Sequence, residues 1–388
     1  MVYFSMSSSL SKSALGLLFV IYLAGTGCST TRGTAPTSPE YELNFLQEYI
    51  IPNNTLFKNT MVGGLSGIDY DSVTGSYFSI CDDRSDLAPA RFYTYDIRFK
   101  NHLMDSVLLR DMHYLRNQKN QPFPPFRDNK PGSVDPEALR VMGSKIFWSD
   151  EGLRDLSGKN PVLITPRIFV ADREGNYEGS FTVPDILQMH EGERGPRNNG
   201  GFEGLAISPD GKYLFASVEE PLINDGPRAG LYDSSGIVRL IKFDIQSRKA
   251  VGQYAYQIEP VAHPVIPENG FRVNGISDIL FLNHHQLLVI ERSYSTGRIT
   301  CTIKVFIADL EHAEDVSSIF SLAGRKDLAI PKKLLLNMDD LKRFTDNIEG
   351  VTFGPKGTNG DPTLIFISDN NFNPLERTQL LLFELKRK

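Results

Sequence analysis

The sequence predicts an all-β fold, a β-propeller of five four-stranded blades, and three observations carry that prediction. One phrase, a strand, a tight turn and a second strand ending on acidic residues, occurs five times in 388 residues. It reads GLSGIDYD…GSYFSICDDR from Gly64, DPEALRVMGSKIFWSDEG from Asp135, GFEGLAISPDGKYLFASVEE from Gly201, GISDILFLNHHQLLVIER from Gly275 and NIEGVTFGPKGTNGDPTLIFISDN from Asn347. Aligned on Ser66, Glu137, Glu203, Ser277 and Glu349, the copies are 71, 66, 74 and 72 residues apart, room for four strands and a long loop each. Finally, the last copy stops after its third strand, Gln379–Leu385, while Tyr41–Ile51 precedes the first copy as a strand without a partner. The N-terminal strand is therefore expected to complete the last blade. Six blades are the alternative, if a divergent one lies within a long connection.

Taken in order, the chain opens with Lys12 and an apolar run, Ala14–Ala24, too short to cross a bilayer. Gly25-Thr26-Gly27-Cys28-Ser29 then resembles a bacterial lipoprotein signal, with cleavage before Cys28 and a lipid on its sulfur. Residues 29–40 read as a flexible tether and 41–388 as a single propeller domain. The expected location is extracytoplasmic, lipid-anchored at the outer membrane or in the periplasm, or secreted if Cys28 is not lipidated. A net charge of −6 without a basic run excludes a nucleic-acid footprint. The expected partner is a small-molecule substrate, with membrane contact only through the lipid, and the protein is expected to be a monomer.

Within the third copy the strands are predicted at Gly204–Ser208, Tyr213–Val218, Ile237–Asp244 and Ala250–Ile258; the second copy adds Arg167–Asp172 and Tyr177–Val183. Antiparallel geometry puts the connections from first to second and from third to fourth strand on one face, and these are short: 209–211, 283–285 and 173–175. The opposite face collects the long connections, 111–134, 152–166, 188–200, 221–235 and 260–273. Long loops at one end of a rigid scaffold carry function.

The aligned positions Ser66, Glu137, Glu203, Ser277 and Glu349 begin the innermost strands on that long-loop face. Converging carboxylates without a cation would repel or take up protons. Calcium, which takes six to eight oxygens, suits such a set better than magnesium or zinc. One central Ca2+ is the expected cofactor; the bland alternative is that Glu-Gly and Ser-Gly are turn chemistry. A second acidic ring follows where the second strands end. It includes Asp82, Asp83, Arg84, Asp150, Glu151, Glu219, Arg292 and Asp369, expected to form a catalytic mouth. Carboxylate, cation and guanidinium at one mouth match phosphoester hydrolysis: a polarised phosphoryl oxygen, an activated water, neutralised developing charge. The alternatives are a non-catalytic ligand- or partner-binding propeller with structural calcium, and a carboxylic esterase or lactonase.

Other motifs are weak. There is no G-x-S-x-G elbow, and Gly195–Gly201 lacks the P-loop lysine. His284 and His285 read as solvent-exposed on the short-turn face, Trp148 as core, and Cys81 and Cys301 as small buried hydrophobes.

The runs GFEGLAISPDGKYLFASVEEPL, NGISDILFLNHHQLLVIERS and NIEGVTFGP with the later ISDNNF resemble the phytase-like domain of bacterial secreted proteins, described as esterase-like proteins of the phytase family. The resemblance spans roughly Leu43 to Leu385 and is sharpest at Asp82-Asp83-Arg84, Ser149-Asp150-Glu151, Glu219-Glu220-Pro221-Leu222 and Glu291-Arg292. The order Ser, Glu, Glu, Ser, Glu also looks like that of the calcium-activated apyrases, five-bladed propellers whose central calcium would correspond to Ser66, Glu137, Glu203, Ser277 and Glu349 here. The six-bladed β-propeller phytases resemble the chain less, since their acidic calcium motifs are missing.

Overall fold

A computed structural model describes residues 41–233 and 236–388. The expected signal peptide, Cys28 and the tether lie outside these residues. Five four-stranded antiparallel sheets are arranged as blades. Their innermost strands are Leu65–Asp71, Pro136–Met142, Phe202–Ile207, Arg272–Phe281 and Asn347–Phe353, and each packs against the next so that the fifth meets the first. The outermost strand of the fifth blade is Tyr41–Ile51, which pairs antiparallel with Thr378–Arg387 from Tyr41↔Arg387 to Ile51↔Thr378. The closure read from the sequence is thus present, and among the described residues no sixth blade is found. Ile237–Asp244, Tyr213–Val218 and Arg167–Asp172 keep their predicted bounds, whereas Tyr177–Ser180 ends before Val183.

The cores lie between blades. In the fifth blade, Leu364 and Phe366 pack with Leu288 and Ile290 of the fourth. Their neighbours Ile365 and Ile367 pack with Ile68 and Tyr93 of the first. A strand's period of two sends alternate side chains to opposite faces. A sheet stacked on both sides therefore needs an unbroken apolar run, and Leu364–Ile367 supplies one. Each such side chain, buried entirely, contributes roughly 1.5–3 kcal/mol. Trp148 sits in one of these cores, its ring 4.4 Å from Phe169.

Two connections depart from the sequence reading. The segment 111–134 is partly strand, since Leu103–Tyr114 is the outer edge of the first blade. The connection between the last two strands of the fourth blade, 310–331, is long although it starts on the short-turn face. It runs beside the outer strand of the third blade: Val316 N–H donates to the Gln253 carbonyl at 2.8 Å and Ile330 N–H to that of Ala255 at 2.9 Å. This covers an edge that would otherwise present unpaired backbone groups.

The ring is crossed deep in its centre by a charged bolt. Arg140 of the second blade donates from Nη2 to both Asp278 oxygens of the fourth, at 2.9 and 2.8 Å, and from Nη1 to the Ile68 carbonyl of the first at 2.7 Å. Asp278 Oδ2 also accepts from Val351 N–H of the fifth blade at 2.9 Å. Nothing in the repeat announced this pair, because a lone Arg and a lone Asp inside strands look like solvated positions.

Candidate functional site

The five aligned positions share a backbone device. In each innermost strand the ladder to its neighbour slips there: between Leu65 and Gly67, Pro136 and Leu139, Phe202 and Leu205, Ile276 and Asp278, and Ile348 and Gly350. Such a bulge leaves its extra residue unpaired and re-aims the side chain, a common feature beside functional sites. Three of the five positions are followed by glycine, Gly67, Gly204 and Gly350, and there the glycine serves close approach rather than a turn; Ala138 and Asp278 take that place in the other two. A Cβ on Gly204 would stand 2.6 Å from Asp278 Cα, and one on Gly350 would stand 2.9 Å from Ile68 N. The turn-chemistry alternative is corrected on that ground.

The ring residues have different fates. The Ser66 hydroxyl donates to the Glu137 carbonyl of the next blade at 2.6 Å, and the Ser277 hydroxyl to the Ile348 carbonyl at 3.1 Å. Both hydroxyls tie neighbouring blades. Glu349 accepts from Asn347 Nδ2 at 2.8 Å and lies 3.6 Å from Arg292. Glu137 and Glu203, by contrast, fall among other carboxylates. Oxygens of Asp135, Glu137 and Glu151 lie within 4.8 Å of one another, and so do oxygens of Glu151, Glu203 and Glu219.

The second ring divides by strand parity. Asp82, Glu151, Glu219, Arg292 and Asp369 turn inward; their chain neighbours serve the scaffold. Asp83 accepts the N–H groups of Asp86, Leu87 and Ala88 and a bond from the buried Arg91 at 2.7 Å. Asp150 accepts from Asp135 N–H at 2.8 Å and Arg167 Nε at 2.7 Å. Asp83 and Asp150 are thus spent on loop and blade structure, contrary to the expected catalytic mouth. Glu291 is likewise saturated, accepting from Tyr256, Asn274, Lys332 and Glu259 N–H. Of the two histidines expected to be solvent-exposed, His284 is exposed, whereas His285 is half-buried and lies 3.1 Å from Asp309.

The mouth opens as a cavity of about 330 Å3, lined among others by Asp82, Arg84, Glu137, Glu203, Arg292 and Glu349. Both guanidinium groups are already engaged. Arg84 Nε lies 3.0 Å from Asp135, and Arg292 Nη2 lies 3.1 Å from Glu219 while Nη1 donates to Asn347 at 3.0 Å. Burial raises the carboxyls of Glu137, Glu151, Glu203 and Asp82 well above their ordinary values, and neighbouring carboxylates push the same way. Asp135 is pushed up to about 7 by burial, against the opposing charge of Arg84. Burial also raises Asp369, helped by Glu349, and raises Glu219 and Glu349 against Arg292. Buried Glu219 Oε2 and Asp369 Oδ2 have no hydrogen-bond partner among the described residues. Orphaned carboxylate oxygens and all-oxygen triads fit a hard divalent cation, the kind of ion that offsets such crowding.

Asp135 and Asn347 were missed by the sequence reading. Each stands two residues before a ring glutamate, Glu137 or Glu349, so strand periodicity was the signal that identifies them.

Comparison with known proteins gives three findings. The family model Phytase-like, described as esterase-like activity of phytase, matches residues 60–372. An uncharacterized secreted protein of Arthroderma benhamiae is 27% identical over 183 residues, covering 43% of this chain and 35% of that protein, so the match spans about a third of the relative's length. Among solved structures, an endo-arabinase from Bacteroides thetaiotaomicron aligns over 88% of this chain and 98% of its own at 11% identity and a TM-score of 0.44. The periplasmic gluconolactonase of Pseudomonas aeruginosa aligns over 84% and 86% at 12% identity and a TM-score of 0.34.

Proposed function

Because the chain belongs to the phytase-like family, we infer that it is a hydrolase of ester bonds that works outside the cytoplasm. Two features support the location: the signal-like segment ending at Cys28, with the lipid anchor it implies, and the secreted relative. The finer reading is a calcium-dependent hydrolase of a phosphoester. The observation that carries it is the convergence of Asp82, Asp135, Glu137, Glu151, Glu203, Glu219, Glu349 and Asp369 at one end of the channel, where Arg84 and Arg292 are the guanidinium groups that line the same cavity.

Charge decides between substrates. A phosphoester is anionic, and both guanidinium groups are paired, so the mouth by itself repels it. Glu151, with Asp135 and Glu137 on one side or with Glu203 and Glu219 on the other, would hold a divalent cation, in place of the Ser-containing ring. A bound cation supplies polarisation of the phosphoryl oxygen and cancels the repulsion. Arg84 and Arg292, at the cavity wall, orient the substrate's oxygens and meet charge that develops on them. Asp82, partly exposed in the cavity and outside both carboxylate triads, takes the proton of the attacking water. Water forms the new P–O bond and the ester oxygen leaves with a proton from solvent.

The family description favours a second reading, a carboxylic esterase, whose neutral substrate needs no cation to enter. The test is a panel of phosphomonoesters, carboxylic esters and lactones offered to the purified protein with calcium and with chelator. Phosphate release that stops on chelation supports the phosphoester reading. Ester cleavage indifferent to chelator supports the second, and no turnover of any class leaves a ligand-binding propeller.

A further inference from the structure

We propose that the mouth holds two divalent cations, not one, and that Glu151 bridges them. The inference deepens the cation reading above and rests on it. It starts from the two carboxylate triads. Asp135, Glu137 and Glu151 present oxygens within 4.8 Å of one another; so do Glu151, Glu203 and Glu219. These are separate groups whose shared member is Glu151. An ion with bonds of about 2.3–2.6 Å reaches oxygens no more than about 5 Å apart, which suits each triad taken alone. It does not suit the five carboxyls together.

A second observation is independent of the clustering. Glu219 is buried, one of its oxygens faces Arg292 at 3.1 Å, and the other, Oε2, has no partner among the described residues. A buried carboxylate oxygen left without a donor calls for one or for a cation. Among the described residues Glu151 receives the Gly201 N–H, at 3.2 Å on Oε1, and two carboxylate oxygens allow it to serve both triads.

Charge balance agrees. With Arg84 facing Asp135 at 3.0 Å and Arg292 facing Glu219 at 3.1 Å, the carboxylates of Asp135, Glu137, Glu151, Glu203 and Glu219 keep three negative charges; two divalent ions turn that into one positive charge, which Glu349, 3.6 Å from Arg292, offsets. Two ions sharing a carboxylate can also hold the attacking and the leaving oxygens of an in-line displacement from both sides. The sequence positions make the asymmetry testable: Asp135 and Glu137 open the second blade, Glu219 closes the second strand of the third, and Glu151 lies between.

Equilibrium dialysis of the chelator-stripped protein against calcium is the decisive measurement, with thermal unfolding of each variant as the check on folding. Two ions per chain are expected for the unaltered protein. Asp135→Asn is expected to lose one and keep the other, Glu219→Gln to lose the complementary one, and Glu151→Gln to lose or weaken both. A single ion per chain overturns the proposal while leaving the cation reading intact, and no bound ion overturns both. A second ion that survives Glu151→Gln with unchanged affinity also overturns it. That ion would sit elsewhere, as at His285, Asp309 and Glu311, which cluster on the opposite face. The unaltered protein gives the count even if a variant fails to fold.

Discussion

Arg140 and Asp278 meet through two hydrogen bonds of 2.9 and 2.8 Å from one guanidinium nitrogen, joining blades that are not neighbours in the ring. Both side chains are buried, and half-buried Asp69 is a second carboxyl near the same guanidinium. Arg140→Leu therefore leaves two carboxyls without a counter-charge, both already raised by burial. Removing one partner of a buried pair costs about 3–5 kcal/mol. Urea unfolding of the variant is expected to show a loss of that size, and a loss below 1 kcal/mol would show the bolt to be idle.

Asp82 and Asp83 are adjacent yet predicted to behave in opposite ways. Asp83→Ala strips Arg91 of its charged partner and frees three N–H groups, so a loss of about 3–5 kcal/mol is expected on unfolding. Asp82→Asn removes a crowded charge, so the melting temperature should stay level or rise. Its turnover, by contrast, is expected to fall by about 10²–10⁴-fold, the usual contribution of a positioned base. Asp82→Asn with unchanged turnover would remove Asp82 from the proposed mechanism.

The stability of the metal-free protein should fall as pH rises. Asp135, Glu137, Glu151 and Glu203 have folded-state values above their unfolded ones, so between those values the folded chain binds more protons. Their contribution is complete below about pH 4. It is lost as pH climbs through the folded values, about 7 for Asp135. Asp71 and Asp111, held low by hydrogen bonds from Arg173 and Lys58 respectively, act in the other sense and only below pH 4. Melting temperature in chelator is thus expected to decline from pH 5 to pH 8, and calcium to flatten that decline. An equally steep decline with calcium present would argue against a cation among these carboxyls.

Truncation separates the closing strand from what precedes it. Removing residues 1–40 should leave the melting temperature within a few degrees of the parent. Removing 1–51 takes away the partner of Thr378–Arg387 and the pair of bonds between Gln47 and the backbone of Met104 in the first blade. Loss of cooperative unfolding, with aggregation through the bared edge, is the expected outcome. Size-exclusion chromatography and calorimetry read both.

The architecture was legible because it is written five times over, so one alignment on Ser66, Glu137, Glu203, Ser277 and Glu349 sets the register of every copy. The closing strand was legible because Tyr41–Ile51 and Gln379–Leu385 each lacked something the other had. The site was half legible. Ser66 and Ser277 share the slot of Glu137 and Glu203, but a hydroxyl can donate to the next blade's carbonyl and a carboxylate cannot. Among the paired acids, composition cannot say which member faces in, whereas strand parity can: Asp82 over Asp83, Glu151 over Asp150. The Arg140–Asp278 bolt was out of reach, since its partners belong to different copies and carry no shared motif.

The shared last blade sets a schedule for assembly. Among the blade strands, the eleven residues of Tyr41–Ile51 are made first, and their hydrogen-bonding partner, Thr378–Arg387, is made last. Every other blade strand must emerge before that early segment finds its mate, whether from a ribosome or from an export channel. Until then the circle stays a horseshoe, threadable and unlocked.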